Sequence, residues 1–65
     1  MEEIVLKLID KKCLLTLRNG DSYIGIIIKI DMDTITAKLQ IHFEIENGKG
    51  MIIPVSQIKS ISEVE

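Results

Sequence analysis

The chain has 65 residues, a formal net charge of −2 and a single cysteine, Cys13. This length accommodates one domain with a barely sufficient core, which neither an internal disulfide nor a cysteine-based metal site can reinforce. The acidic balance argues against a general attraction to nucleic acid or to an anionic membrane. Because 46% of the residues are hydrophobic and only 3% aromatic, we expect self-association to complete the core.

The sequence gives no indication of membrane contact. No apolar run approaches the roughly 20 residues that a spanning helix needs, and the first residues lack the layout of a secretory signal. The unpaired thiol of Cys13 fits a reducing compartment. We therefore expect a cytoplasmic protein.

A short amphipathic helix is predicted over residues 1–10. Apolar residues recur on one face of this segment, and Glu2 and Glu3 favour the helix dipole. A strand follows at about Cys13–Arg18. Asn19-Gly20 then predicts a two-residue hairpin turn of type I′, because both residues tolerate a positive φ.

The second strand is predicted over about Asp21–Ile30, with a sharp bend at Gly25. A glycine inside a run of isoleucines usually marks a bulge or a tight corner of a barrel. The residues Asp31-Met32-Asp33 are predicted to form a short loop, with both carboxylates as turn formers.

Regular alternation predicts a long third strand from Thr34 to Glu46, with a polar outer face on which His42 is solvated. The buried face of this strand is predicted to comprise Ile35, Ala37, Leu39, Ile41, Phe43 and Ile45.

Two short strands are predicted after a turn at residues 47–50 that contains Gly48 and Gly50. The fourth is Met51–Val55, in which Pro54 requires an edge, a strand end or a bulge. A tight turn at Ser56-Gln57 leads to the fifth, Ile58–Ile61, and an acidic tail at 62–65. The prediction is a single, mainly β domain: a helix, then a strongly bent five-stranded small barrel over residues 13–61.

The bent hairpin carries the spacing of a known motif. Gly20, Tyr23, Gly25, Ile27, Ile30 and Asp31 resemble the first motif of the Sm and Sm-like (LSm) proteins, and residues 53–61 resemble the second. The resemblance covers nearly the whole chain. It implies an Src-homology-type barrel that adds its fourth strand to the fifth strand of a neighbour, in a ring of six or seven subunits that binds single-stranded, uridine-rich RNA at its pore.

The last two strands are the edges that would pair in such a ring. Edge pairing satisfies exposed backbone groups and buries isoleucines that one small core cannot hold. The expected oligomer interface comprises Met51, Ile52, Ile53, Val55, Ile58 and Ile61.

The resemblance also assigns RNA-binding positions, which are Asp31, Asp33, Thr34, Thr36 and Pro54. The family's stacking residue and Met-Asn pair fall on 33–35 without a gap, or on 34–36 with one inserted residue. Neither alignment supplies an aromatic residue or an Asn, and Pro54-Val55 stands where the family has Arg-Gly. A stacking platform contributes roughly 1 to 3 kcal/mol per base, so the pocket is expected to be weakened or altered.

No catalytic constellation is recognisable, so neither an enzyme, a metal site nor a cofactor is expected. Cys13 is predicted to be a small buried hydrophobe. Two functions follow: a ring that binds single-stranded RNA or scaffolds RNA complexes, or a small-barrel module that binds a protein partner and no RNA.

Overall fold

The computed structural model describes residues 1–65 and contains one helix and five strands. The elements are α1 (Glu2–Lys7), β1 (Lys12–Leu17), β2 (Ser22–Met32), β3 (Leu39–Ile45), β4 (Gly50–Pro54) and β5 (Ile58–Glu63), with a 3₁₀ turn at Val55–Gln57. The predicted mainly β architecture of one helix and five strands is therefore confirmed.

The strands form one antiparallel sheet in the order β4-β3-β2-β1-β5. β4 and β5 are thus its two edges, although only the 3₁₀ turn separates them along the chain. No ladder joins β4 to β5, so the sheet remains open. Pro54 ends β4 at an edge, as predicted, where its missing N–H does not interrupt a central ladder.

The core lies on one face of the sheet and is closed by α1. Its buried cluster comprises Val5, Leu15, Ile27, Ile41, Phe43, Ile53 and Ile58. Alternation along β3 is confirmed for residues 39–45, because Ile41 and Phe43 are buried and Leu39 and Ile45 are half-buried.

The N-terminal helix is shorter than the predicted 1–10. It ends at Lys7, after which Ile9 forms a parallel bridge with Ile27 and Asp10 N donates to Ile27 O at 3.0 Å. Asp10 has a φ of 68°, which turns the chain out of the helix. Pairing with β2 therefore replaces the last helical turn.

The type I′ prediction for the first hairpin is wrong. Only Gly20 has a positive φ (96°), Gly20 N donates to Leu17 O at 3.0 Å, and Leu17 N donates to Asp21 O at 2.8 Å. This is a three-residue loop closed by a glycine in the left-handed region. Asn19 contributes through its side chain, because its Oδ1 accepts from Asp21 N at 2.9 Å.

The second hairpin repeats this design. Gly48 has a φ of 89° and donates to Ile45 O at 2.9 Å, while Asn47 Oδ1 accepts from Lys49 N at 2.9 Å. Gly50, predicted to lie in this turn, is instead the first residue of β4.

Gly25 permits a close approach between β2 and β3. A Cβ built on it would lie 2.9 Å from both the carbonyl carbon of Glu44 and the Cα of Ile45, and closer still to Glu44 O. The β-bulge itself is elsewhere, because the β2–β3 register shifts between Ile27 and Lys29.

Two predicted boundaries are wrong. Asp31 and Met32 belong to β2, whereas residues 34–38, predicted to begin β3, form a turn in which Ile35 is 93% exposed. The predicted tail is ordered in part, because β5 continues to Glu63 opposite Cys13 and Val64 N donates to Lys12 O at 2.8 Å. A local sequence pattern cannot predict these backbone pairings, because they join residues that are far apart in the chain.

Candidate functional site

A cleft separates the β2–β3 loop, residues 33–38, from the turn between β4 and β5. Asp33 organises the loop: its Oδ1 accepts from Ile35 N at 2.8 Å and from Thr36 N at 3.4 Å. Ala37 N donates to Asp33 O at 2.8 Å, and Asp33 N donates to Lys38 O at 2.9 Å. The prediction that Asp33 forms a turn is therefore confirmed, and its carboxylate has a structural role in one wall of the cleft.

The cleft has a volume of about 230 Å³. It is lined by Asp33, Thr36, Lys38, Leu39, Gln40, Pro54, Ser56 and Gln57. Three of the five predicted RNA-binding positions, Asp33, Thr36 and Pro54, thus lie together, whereas Asp31 and Thr34 do not line it. The lining offers hydroxyls, amides and one ammonium group but no aromatic ring or guanidinium, so it is suited to hydrogen bonding and not to base stacking.

Asp31 is the centre of a polar cluster on the outer face of the sheet. Its Oδ1 accepts from Gln40 Nε2 at 3.0 Å, its Oδ2 lies 2.9 Å from His42 Nε2, and Lys29 Nζ is 3.6 Å away. The hydrogen bond from Gln40, followed by the interactions with His42 and Lys29, lowers the pKa of Asp31. Asp31 is therefore not a turn former, and His42 is half-buried and bound instead of freely solvated.

The bulge at Ile28 creates this cluster. It places Asp31 opposite Gln40 and Ile30 opposite Ile41; an uninterrupted register would have turned Asp31 toward the core. The sequence did contain a signal of the bulge, because strict alternation from Ile27 would bury the charged residues Lys29 and Asp31.

A second contact missed in the sequence fixes the β4–β5 turn. Arg18 Nε donates to Ser56 O at 2.9 Å, and Arg18 N donates to Gln57 O at 2.9 Å. An arginine from the first hairpin therefore holds the turn that forms the other wall of the cleft.

The predicted interface residues occupy three environments. Ile53 and Ile58 are buried in the core of their own chain, at 4% and 1% exposure, while Ile52 is 60% exposed. Met51, Val55 and Ile61 are half-buried against the core. Only Ile52 offers an extensive side-chain surface, so edge contacts by the other positions rely largely on the backbone.

A groove of about 360 Å³ runs along the β4 edge, with Ile28, His42, Gly50 and Ile52 among its lining residues.

Cys13 is buried, as predicted, and its thiol lies 3.2 Å from Lys11 O. No group of three or more His, Cys, Asp or Glu side chains could hold a metal ion. The only helix, α1, is too short to cross a membrane.

No protein-family model matches the sequence, and no curated protein shows significant similarity to it. The geometry above defines a small antiparallel β domain with two free edges and a polar cleft beside the turn that connects them.

Proposed function

We propose that the chain is the subunit of an Sm-like ring, in which β4 of one copy pairs with β5 of the next and the bent sheet curls into a small barrel. The cleft between the β2–β3 loop and the β4–β5 turn then takes single-stranded RNA or a protein component of an RNA complex. The lack of a stacking platform predicts weak RNA binding.

The observation that carries the proposal is the pair of free edges. β4 and β5 terminate the same antiparallel sheet on opposite sides, so the edge pairing is head to tail and closes a ring if the rotation between copies closes. Apolar exposure gives the second reason for assembly. Ten large hydrophobic residues are at least 38% exposed in the single chain, against seven in the buried cluster.

Ile52→Lys tests the assembly, because a lysine on an edge strand opposes pairing with another strand. We expect the wild-type chain to form a particle of several subunits and Ile52→Lys to reduce its mass, as measured by light scattering after size exclusion. Ile35→Lys is the matched control, since Ile35 is exposed on the loop and away from both edges. A monomeric wild-type protein at micromolar concentration refutes the ring.

RNA binding is tested separately with oligo-uridine and mixed single strands across a salt series. Asp33→Asn removes a negative charge from the cleft while keeping an oxygen that can accept from Ile35 N. A unit charge near a phosphate in water is worth about 1 kcal/mol, so we expect roughly fivefold tighter binding. Glu2→Gln removes the same charge from α1, which does not line the cleft, and should change affinity little.

The absence of an arginine or an aromatic ring in the cleft favours a second candidate. In this second candidate function, the same assembly scaffolds proteins and binds no RNA. It is selected if neither oligonucleotide binds at low salt and the purified particle carries no absorbance from nucleic acid, while the particle mass still falls in Ile52→Lys.

A further inference from the structure

An apolar strip runs across the outer face of the sheet, opposite the core. It consists of Leu14 on β1 and Ile24, Ile26 and Ile28 on β2, which we call the outer strip. Its members are 38–47% exposed, and Leu14 lies directly opposite Ile24 in the β1–β2 ladder. The helix α1 does not cover the strip, because it packs on the core face through Val5; only the ion pair between Lys12 and Glu46 reaches across β2 on this face.

Charges of opposite sign flank the centre of the strip. Ile26 lies opposite Lys12 on β1 and opposite Glu44 on β3, so one row across the sheet reads Lys12, Ile26, Glu44. Lys12 Nζ also lies 2.7 Å from Glu46 Oε1. Beyond Ile28 the strip ends at Lys29, whose ammonium is 3.6 Å from Asp31.

The charges of this row are complementary to those of the same row in a second copy of the chain. When two such faces stack about a twofold axis along β2, the β1 side of one copy covers the β3 side of the other. Ile26 then meets Ile26, and each Lys12, which contacts Glu46 in the single chain, exchanges that partner for Glu44 of the second copy. Stacked sheets are about 10 Å apart, a separation that a lysine and a glutamate bridge together.

We infer that the outer strip is a docking surface for a second copy of this chain, stacked face to face about a twofold axis along β2. The contact goes beyond edge pairing of β4 with β5 and uses different residues, so it joins two rings or two single subunits equally well.

Charge reversal tests the pairing. In Lys12→Glu alone, both contacts of the symmetric pair become glutamate over glutamate; in Glu44→Lys alone, both become lysine over lysine. Mixing the two variants restores both pairs. At one contact the two introduced side chains, which have opposite charges, face each other, and at the other contact the native Lys12 of one variant faces the native Glu44 of the other. We expect each variant alone to dissociate at least about tenfold more readily than wild type, and the equimolar mixture to recover.

Sedimentation velocity over a dilution series at low salt supplies the readout, with thermal unfolding to verify that both variants fold. Ile26→Thr keeps a β-branched side chain on β2 and is expected to weaken the same association, with Ile35→Thr as its matched control. The inference is overturned if wild type and both variants have the same mass at every concentration. It is also overturned if the equimolar mixture dissociates as readily as each variant does alone. None of these substitutions lies on β4 or β5, so loss of the ring in Ile52→Lys is scored independently.

Discussion

Gly25→Ala is the substitution that most directly tests the packing of the two central strands. The added Cβ would lie 2.9 Å from two backbone atoms of β3 and closer still to Glu44 O, and contacts under 3.0 Å essentially never occur at real Cβ atoms. The obstructing atoms belong to the backbone, so no side-chain rotation relieves the contact. β2 and β3 must separate locally, at the ladder pair Gly25–Ile45.

Overpacking of a close-packed interior costs typically about 1–3 kcal/mol, and a backbone obstruction belongs at the upper end of that range. A domain of this length is stabilised by roughly 3–10 kcal/mol in total, so Gly25→Ala removes a large share. At about 1 kcal/mol per molar urea, we expect the unfolding midpoint to fall by about 2 M or more.

Gly50→Ala is the matched control. A Cβ at Gly50 meets nothing within 4 Å, and Gly50 has no positive φ, so the midpoint should stay the same or rise slightly. Both variants are compared with wild type at one protein concentration, because assembly makes apparent stability depend on concentration. A Gly25→Ala midpoint within about 0.5 M of wild type refutes the close approach of β2 and β3 as the reason for this glycine.

Three further outcomes are expected. Phe43→Ala removes the largest fully buried side chain and should lower the free energy of unfolding in urea by about 3–5 kcal/mol; a loss below about 1 kcal/mol would mean that the core collapses around the site. Asp31→Asn should lower stability at neutral pH, and its deficit relative to wild type should shrink as the pH falls from about 5 toward 2. The sign follows from the lowered pKa of Asp31, whose stabilising effect is present above its ordinary pKa and lost on protonation in the folded state; a deficit independent of pH contradicts it. Burial and then Glu63 raise the pKa of the Cys13 thiol, so a thiol reagent at neutral pH should label it much more slowly in the folded chain than in urea, and equal rates would show that Cys13 is accessible.

Local sequence patterns determined most of the elements. The two Asn-Gly pairs marked both hairpins, and each loop uses the Asn side chain and one left-handed glycine; at Asn19-Gly20 two positive φ angles were predicted instead. Alternation in 39–45 identified the buried face of β3, because side chains of a strand alternate between faces wherever the register is uninterrupted.

The candidate site could be anticipated only in part. The resemblance selected Asp33, Thr36 and Pro54, which line one cleft, whereas the Arg18 contact with Ser56 spans 38 positions and has no local signal. Alternation predicted a strand through residues 34–38. It took no account of Asp33, whose side chain accepts from two backbone amides and stabilises a turn there.

The sequence by itself determined that this small, isoleucine-rich chain forms hairpins with one apolar face, because turn residues and alternation act over a few positions. Tertiary structure decided where the helix ended and which face Asp31 joined. A single bulge at Ile28 reverses the facing of every residue that follows in β2, and its position depends on the partner strand.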